Sequence, residues 1–408
     1  MDVRILPHPL RGVVVPPPGK SALHRLILCA GLSSGVSTIE NAAHSEDIDA
    51  TLRCLAALGG RWEEPAPRVL RIAGAGGGPH HGREPLPRFD CGESGTTLRF
   101  FLPAALAIRD GGIFTGRGRL MERPLQPYLD LFRAKGIFYR QQGNILTVRG
   151  HLTPGEYRLP GNVSSQFFSG LLFALPLLGS ASTIRAVTPL ESADYVLMTQ
   201  KALRMAGVAT AAQAEQNCFQ ISPAEYQPFT AAAEADWSQA AFWMAAAFPG
   251  EEIQVDGLSP ASAQGDKRIA DFFQELSVPG DRIIDLSPCP DLLPPLAVMA
   301  AVRAGSTRFV HASRTRLKES DRLTASAALL NALGGTAREA PDALEVLGGT
   351  LRGGIAENFH DHRIAMAAAA AAAHCTEPVV IRGADAVKKS YPSFWDDYKR
   401  LGGDLDVL

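Results

Sequence analysis

Ser164-Ser165-Gln166-Phe167-Phe168-Ser169-Gly170-Leu171-Leu172-Phe173-Ala174-Leu175-Pro176-Leu177-Leu178 passes from a polar knot straight into a stretch with almost no polar side chain. A helix apolar on nearly all sides is a buried helix. Its first N–H groups are unpaired and carry partial positive charge, which suits an anion. The same join recurs at Gly19-Lys20-Ser21, Glu93-Ser94-Gly95-Thr96-Thr97, Asp236-Trp237-Ser238-Gln239, Pro290-Asp291 and Asp361-His362-Arg363. The knots lie about 74, 70, 72, 55 and 70 residues apart, a period that marks a repeat architecture. Six such helix starts, gathered together, would surround an anionic ligand.

Behind each buried stretch comes a second, amphipathic helix. Its apolar stripes are Ile48-Leu52-Leu55, Leu125-Leu129-Phe132, Met198-Ala202-Met205, Ile269-Phe272-Leu276, Leu323-Leu330-Leu333 and Phe394-Tyr398-Leu401. Five of these helices run into a glycine stop, at Gly59, Gly136, Gly207, Gly334 and Gly402, and the fourth into Val278-Pro279. Strand-like runs follow, such as 137–150 with its internal Gly143-Asn144 turn. Each unit therefore holds two helices and several strands. Six units of this size predict an α/β protein of two lobes, three units in each.

The chain of 408 residues is 46% hydrophobic and has a formal net charge of −2. It is long enough for two domains with ample cores. It lacks the basic field that nucleic acid demands. The six cysteines form no C-x-x-C pair and several sit in apolar helices, so buried free thiols in a reducing cytoplasm are expected. Met1–Leu10 shows no signal pattern, and no apolar run reaches about 18 residues, so no membrane span is expected. Gly74–Gly78 and His80-His81 read as a surface loop, and no metal site is assigned.

Several knots carry more than capping requires. Gly19-Lys20-Ser21 ends like a phosphate-binding P-loop, but Val14 stands where that pattern needs glycine. Lys20 and Arg25 still share the start of a buried helix, where a cation needs either a bound anion or a salt bridge. Capping at 164–166 needs one serine, leaving Ser165 and Gln166 over. Arg119 and Arg123 precede an amphipathic helix opened by Pro124, either as surface charge or as a bidentate clamp. Lys318-Glu319-Ser320-Asp321-Arg322, Asp361-His362-Arg363 and Lys388-Lys389 add further charge at helix starts. Many cations with a few carboxylates, Asp291 and Glu319 among them, fit a polyanionic small substrate and leave groups for proton transfer.

This set of motifs resembles one family. GKSALHR (19–25), GESGTTLR (92–99), RLMERP (119–124), GNVSSQF (161–167), the Pro290-Asp291 pair, RLKESDR (316–322), DHRIAM (361–366) and KKSYPSF (388–394) follow the order and spacing of the 3-phosphoshikimate 1-carboxyvinyltransferases, or EPSP synthases. The resemblance implies a two-lobed inside-out α/β barrel of six βαβαββ units. Residues 1–17 with 235–408 would form one lobe and 18–234 the other, with the active site in the cleft between them. It implies transfer of the enolpyruvyl group of phosphoenolpyruvate to the 5-hydroxyl of shikimate 3-phosphate, without a cofactor, by a cytoplasmic monomer.

Carried over motif by motif, the resemblance makes Asp291 the base, Glu319 the acid and Lys20 an alternative proton carrier. Ser21, Arg25, Ser164, Ser165, Gln166, Ser192 and Lys318 would hold shikimate 3-phosphate. Lys20, Gly95, Arg123, Gln166, Arg322, Arg363 and Lys389 would hold phosphoenolpyruvate. The chain departs from the commonest pattern at Gly19, Glu93 and Arg314. The sister enzymes acting on UDP-N-acetylglucosamine carry a cysteine before the arginine motif, whereas 111–123 here has none. A non-catalytic binding protein of this fold would be expected to lack Asp291, Glu319 or Lys20, and all three are present.

Overall fold

A computed structural model describes residues 1–76, 85–213, 217–250 and 252–408. His80-His81 lies outside them. The chain divides into two compact units: a continuous one, Lys20–Ala233, and a discontinuous one, Met1–Gly19 with Glu234–Leu408. Each has its own apolar core.

The continuous unit contains α1 (Lys20–Leu32), α2 (Glu46–Leu58), α3 (Gly95–Ile108), α4 (Gln126–Ala134), α5 (Ser165–Ala174) and α6 (Ala193–Met205). The discontinuous unit contains α7 (Trp237–Ala247), α8 (Ile269–Ser277), α9 (Leu293–Val302), α10 (Arg322–Ala332), α11 (His362–Ala372) and α12 (Phe394–Arg400). The odd-numbered helices are the apolar ones. Beyond its first turn each is buried almost throughout.

One unit shows the repeat in full. Arg88–Asp90 and Gly111–Thr115 pair in parallel, and α3 supplies the crossover that parallel strands require. Then α4 leads to Phe138–Gln142 and Ile145–Arg149, an antiparallel pair turned at Gly143-Asn144, and the second of these pairs with Gly111–Thr115. The order βαβαββ is thus explicit. The same pattern of one parallel and two antiparallel pairings builds four more four-stranded sheets. In one of them Val3–Ile5, from the start of the chain, is the third strand in order, antiparallel to both its neighbours.

The fourth repeat differs. Ile253–Val255 pairs in parallel with Gly12–Val14, and the sheet has two strands among the described residues. It lacks the antiparallel hairpin, which accounts for the short spacing between the knots at 236 and 291. It also explains the missing glycine stop, because α8 has no hairpin to turn into and ends at Val278. The five predicted glycine stops all adopt positive φ, between 69 and 113°.

One helix expectation needs correction. In α6 the stripe stops early, since Met205 is 41% exposed.

Candidate active site

In the continuous unit most candidate residues lie at the starts of α1, α3 and α5, with Arg123 after the 3₁₀ turn Leu120–Glu122 and Ser192 just before α6. On α1, the Lys20 ammonium lies 2.8 Å from Asp47 Oδ2 of α2. Arg25, one turn on, is 2% exposed. It donates from Nε to Thr199 Oγ1 at 2.9 Å, from Nη1 to the Ser21 carbonyl at 2.6 Å and from Nη2 to the Tyr195 carbonyl at 2.9 Å. Its guanidinium also faces the Phe100 and Tyr195 rings. Burial lowers its pKa to about 10. Its bonds tie α1 to α6, whose preceding residue, Ser192, sits in the left-handed region at φ 53°.

A second group spans α3 and α5, which pack side by side. Ser94 caps α3 by accepting from Thr97 N, and Ser164 caps α5 by accepting from Gln166 N. The Gln166 side chain donates to Thr96 Oγ1 at 2.8 Å and accepts from Arg99 Nη1 at 2.6 Å. Arg99 also donates to the Pro124 carbonyl and lies over the Phe167 ring. Gly95 faces Arg123: a β-carbon there would stand 2.8 Å from Arg123 Nη1, so any side chain would push the guanidinium aside. Beneath both groups runs a buried chain. His24 Nδ1 meets Thr51 Oγ1 at 2.6 Å, Thr51 meets Thr97 Oγ1 at 2.7 Å, and Thr97 donates to Ser94 Oγ at 2.7 Å. Burial, above all, lowers the His24 pKa to about 3.

The discontinuous unit brings six of the predicted residues into one ion-pair network centred on Arg322, which is 1% exposed. Its Nε donates to Asp361 Oδ2 at 2.8 Å, its Nη1 to Asp291 Oδ1 at 2.7 Å and its Nη2 to Glu319 Oε2 at 2.7 Å. Lys318 Nζ lies 2.9 Å from Asp291 Oδ1. Arg363 Nη2 lies 3.6 Å from Asp291 Oδ2, and its Nη1 donates to the Asp291 carbonyl at 3.3 Å. Lys389 Nζ lies 3.9 Å from Glu319 Oε1. Asp361 is fully buried, caps α11 through Arg363 N and accepts from Ser320 Oγ.

Burial alone would raise the Asp291 carboxyl, but Lys318, Arg363 and Arg322 outweigh it and hold the group well below the usual carboxylate range. Burial lowers Lys318, although Asp291 opposes that shift. Burial also disfavours the Arg322 cation, yet its carboxylate partners, Asp361 first, keep it firmly protonated. The network can therefore present four cations to an anion and keeps two carboxylates, Asp291 and Glu319, within their reach.

One expectation changes. Six helix starts were read as anion sites, but in the discontinuous unit the protein's own carboxylates stand at all three. Asp236 accepts from Ser238 N and Gln239 N, Asp361 caps α11, and Asp291 lies in the 3₁₀ turn Pro290–Leu292 that leads into α9. Among the residues with clear partners here that carry no local signal in the sequence are Asp47 and Arg99, and Asp266, which accepts from Ser238 Oγ. Asp47 sits in an ordinary acidic first turn and Arg99 inside an apolar helix. Only their long-range partners give them away.

Comparison with known proteins bears on both units at once. Residues 6–398 match the family described as EPSP synthase (3-phosphoshikimate 1-carboxyvinyltransferase). A 3-phosphoshikimate 1-carboxyvinyltransferase of Clostridium kluyveri is 41% identical, with 99% of this chain and 98% of that protein covered. One of Clostridioides difficile is 37% identical at the same coverage. An EPSP synthase structure from Acinetobacter baumannii superposes with a TM-score of 0.81 at 23% identity, covering all of both chains. The enolpyruvyl transferase NikO of Streptomyces tendae gives 0.77 at 17% identity, over 99% of this chain and 98% of that one. The fold is thus that of the enolpyruvyl transferases. The chain belongs to the EPSP synthase (3-phosphoshikimate 1-carboxyvinyltransferase) family.

Proposed function

We propose that this enzyme transfers the enolpyruvyl group of phosphoenolpyruvate to the 5-hydroxyl of shikimate 3-phosphate, releasing phosphate, and that residues of both units serve this one reaction. The observation that carries the reading is the Arg322 network: four cations held by carboxylates, in a chain whose family match runs from residue 6 to 398. The reaction brings together two phosphates and two carboxylates, so cations must dominate the site. It also needs one group to take a proton and one to give it.

In this assignment Asp291 takes the proton of the 5-hydroxyl as its oxygen attacks the central carbon of phosphoenolpyruvate. Glu319, or Lys20, gives a proton to the methylene carbon. The tetrahedral adduct then loses phosphate and a methyl proton, restoring the double bond. Arg322, Arg363, Lys389, Lys20 and Arg123 hold phosphoenolpyruvate, with Gly95 leaving room for Arg123. Ser21, Ser164, Ser165, Ser192 and Lys318 hold shikimate 3-phosphate, and Gln166 serves both. Arg25 would act chiefly by fixing the Ser21 and Tyr195 backbone, given its three donations inside the unit. Asp291 is a weak base while three cations neutralise it, so anionic substrates that draw those cations away would also strengthen it. The enzyme is assigned to the cytoplasm as a monomer. No helix among the described residues is long and apolar enough to cross a membrane.

The test is phosphate release from phosphoenolpyruvate with shikimate 3-phosphate, and with UDP-N-acetylglucosamine in parallel. Release with shikimate 3-phosphate alone, reduced ~10²- to 10⁴-fold in Asp291→Ala, is expected. Release with the nucleotide sugar alone would reassign the acceptor.

A further inference from the structure

Among the described residues a 3₁₀ turn precedes four of the even-numbered helices: Leu120–Glu122 before α4, Gly265–Arg268 before α8, Ser313–Leu317 before α10 and Ala384–Lys389 before α12. Three of these turns end at or run directly into the candidate residues Arg123, Lys318 and Lys389. In the fourth repeat the equivalent 3₁₀ turn, Gly265–Arg268, carries Asp266. Asp266 is 1% exposed. Its Oδ2 accepts from the Ser238 hydroxyl in the first turn of α7. The turn is fixed there by Gln264, whose Oε1 accepts from Trp237 N at 3.0 Å and whose Nε2 donates to the Ala235 carbonyl at 2.8 Å. The turn Pro290–Leu292, bearing Asp291, packs on the same helix.

Besides the Ser238 hydroxyl of α7, the charges that act on Asp266 are Asp236, which caps α7, Asp291 of that turn and Arg363 of α11. Within its own turn Lys267 donates to the Pro260 and Ser262 carbonyls and Arg268 to that of Gly265, while Asp271 of α8 is exposed. Burial, then the Asp291 charge, raises the Asp266 pKa to about 6, against the pull of Arg363.

We infer that Asp266 is a positioning residue acting through Asp291: its negative charge keeps the Asp291 carboxylate basic once Lys318, Arg322 and Arg363 turn to the anionic substrate. This rests on the functional reading above. A fixed like charge nearby raises the proton affinity of Asp291. When Asp266 is protonated, that support is lost. The rate then falls on the acid side, from about pH 6 or somewhat above it, since Arg363, which holds the Asp266 carboxyl down, has turned to the substrate.

Asp266→Asn keeps an acceptor for Ser238 and removes the charge. Measured as phosphate release with both substrates, it should lower kcat ~10- to 100-fold, leave both KM values within about threefold and abolish the acid limb near pH 6. Its melting temperature should hold or rise, because a desolvated charge is gone. Asp266→Glu should restore the limb. A variant that keeps the wild-type kcat and limb overturns the inference. So does a fall in kcat matched by raised KM values and a lower melting temperature, which would mark a purely structural role. Wild-type protein that releases no phosphate would instead overturn the functional reading.

Discussion

The helix starts of the continuous unit are headed by hydroxyls, amides and one lysine, whereas those of the discontinuous unit are headed by aspartates. Ser94, Thr97, Ser164 and Gln166 satisfy N–H groups or one another with neutral oxygens, leaving the partial positive charge of α3 and α5 uncancelled. Asp236, Asp291 and Asp361 cancel it at α7, α9 and α11, and two of them then hold arginines. One scaffold thus carries two electrostatic arrangements. The first leaves α3 and α5 under neutral caps, with Lys20 of α1 held by Asp47. The second stores its cations on carboxylates, and an anionic substrate must compete for them.

The comparison fails most visibly if Arg322 is merely one surface-like charge. Removing one partner of a buried pair leaves the others uncompensated, typically at 3–5 kcal/mol. Arg322→Leu should therefore destabilise the discontinuous unit by about 3–5 kcal/mol. Urea unfolding followed by tryptophan fluorescence can report this, since Trp237, Trp243 and Trp395 belong to that unit and only Trp62 to the other. A loss below about 1 kcal/mol would reduce the network to a collection of weak pairs.

Acid should separate the units further. His24 is buried neutral, with a folded pKa of about 3 against an ordinary 6.5. The unfolded chain binds the extra proton between those values, so His24 stability is intact above pH 6.5 and is lost progressively as pH falls. By pH 5 the loss should be about 2 kcal/mol, and His24→Gln should remove that slope. Asp266 works in the opposite direction, since its folded pKa of about 6 lies above the ordinary 3.8. Acidification from pH 6 toward 4 relieves its burial and favours the folded discontinuous unit. Equal acid slopes in wild type and His24→Gln would contradict a neutral buried His24.

The smallest effect concerns Gly95. In Gly95→Ala the new methyl must displace the Arg123 guanidinium. The KM for phosphoenolpyruvate should rise ~10-fold, with that for shikimate 3-phosphate unchanged, the cost of a weakened charge-assisted contact. An equal rise in both would mean that Arg123 does not distinguish the two substrates.

Local signals are legible in the sequence. The apolar run at 167–178, the glycine stops and the Gly143-Asn144 hairpin each depend on a few adjacent side chains and their backbone preferences. The shortened interval before residue 291 was visible too, although its cause, an absent hairpin, was not. Asp266 gave no local sign. It lies in Gly-Asp-Lys-Arg, which reads as a polar turn, and it matters only because Ser238, Asp291 and Arg363 converge on it from elsewhere in the chain.

The sequence by itself determined where the buried helices start, that the repeat runs six times and which cations crowd the helix starts, because periodicity and charge are local properties of the chain. Only the tertiary structure decided which of those charges are already spoken for. Arg322 chooses among Asp291, Glu319 and Asp361 through contacts up to 39 residues distant. Arg25 finds Thr199 across 174. Pairings of that range depend on how the helices pack, and burial then sets the strength of each charge.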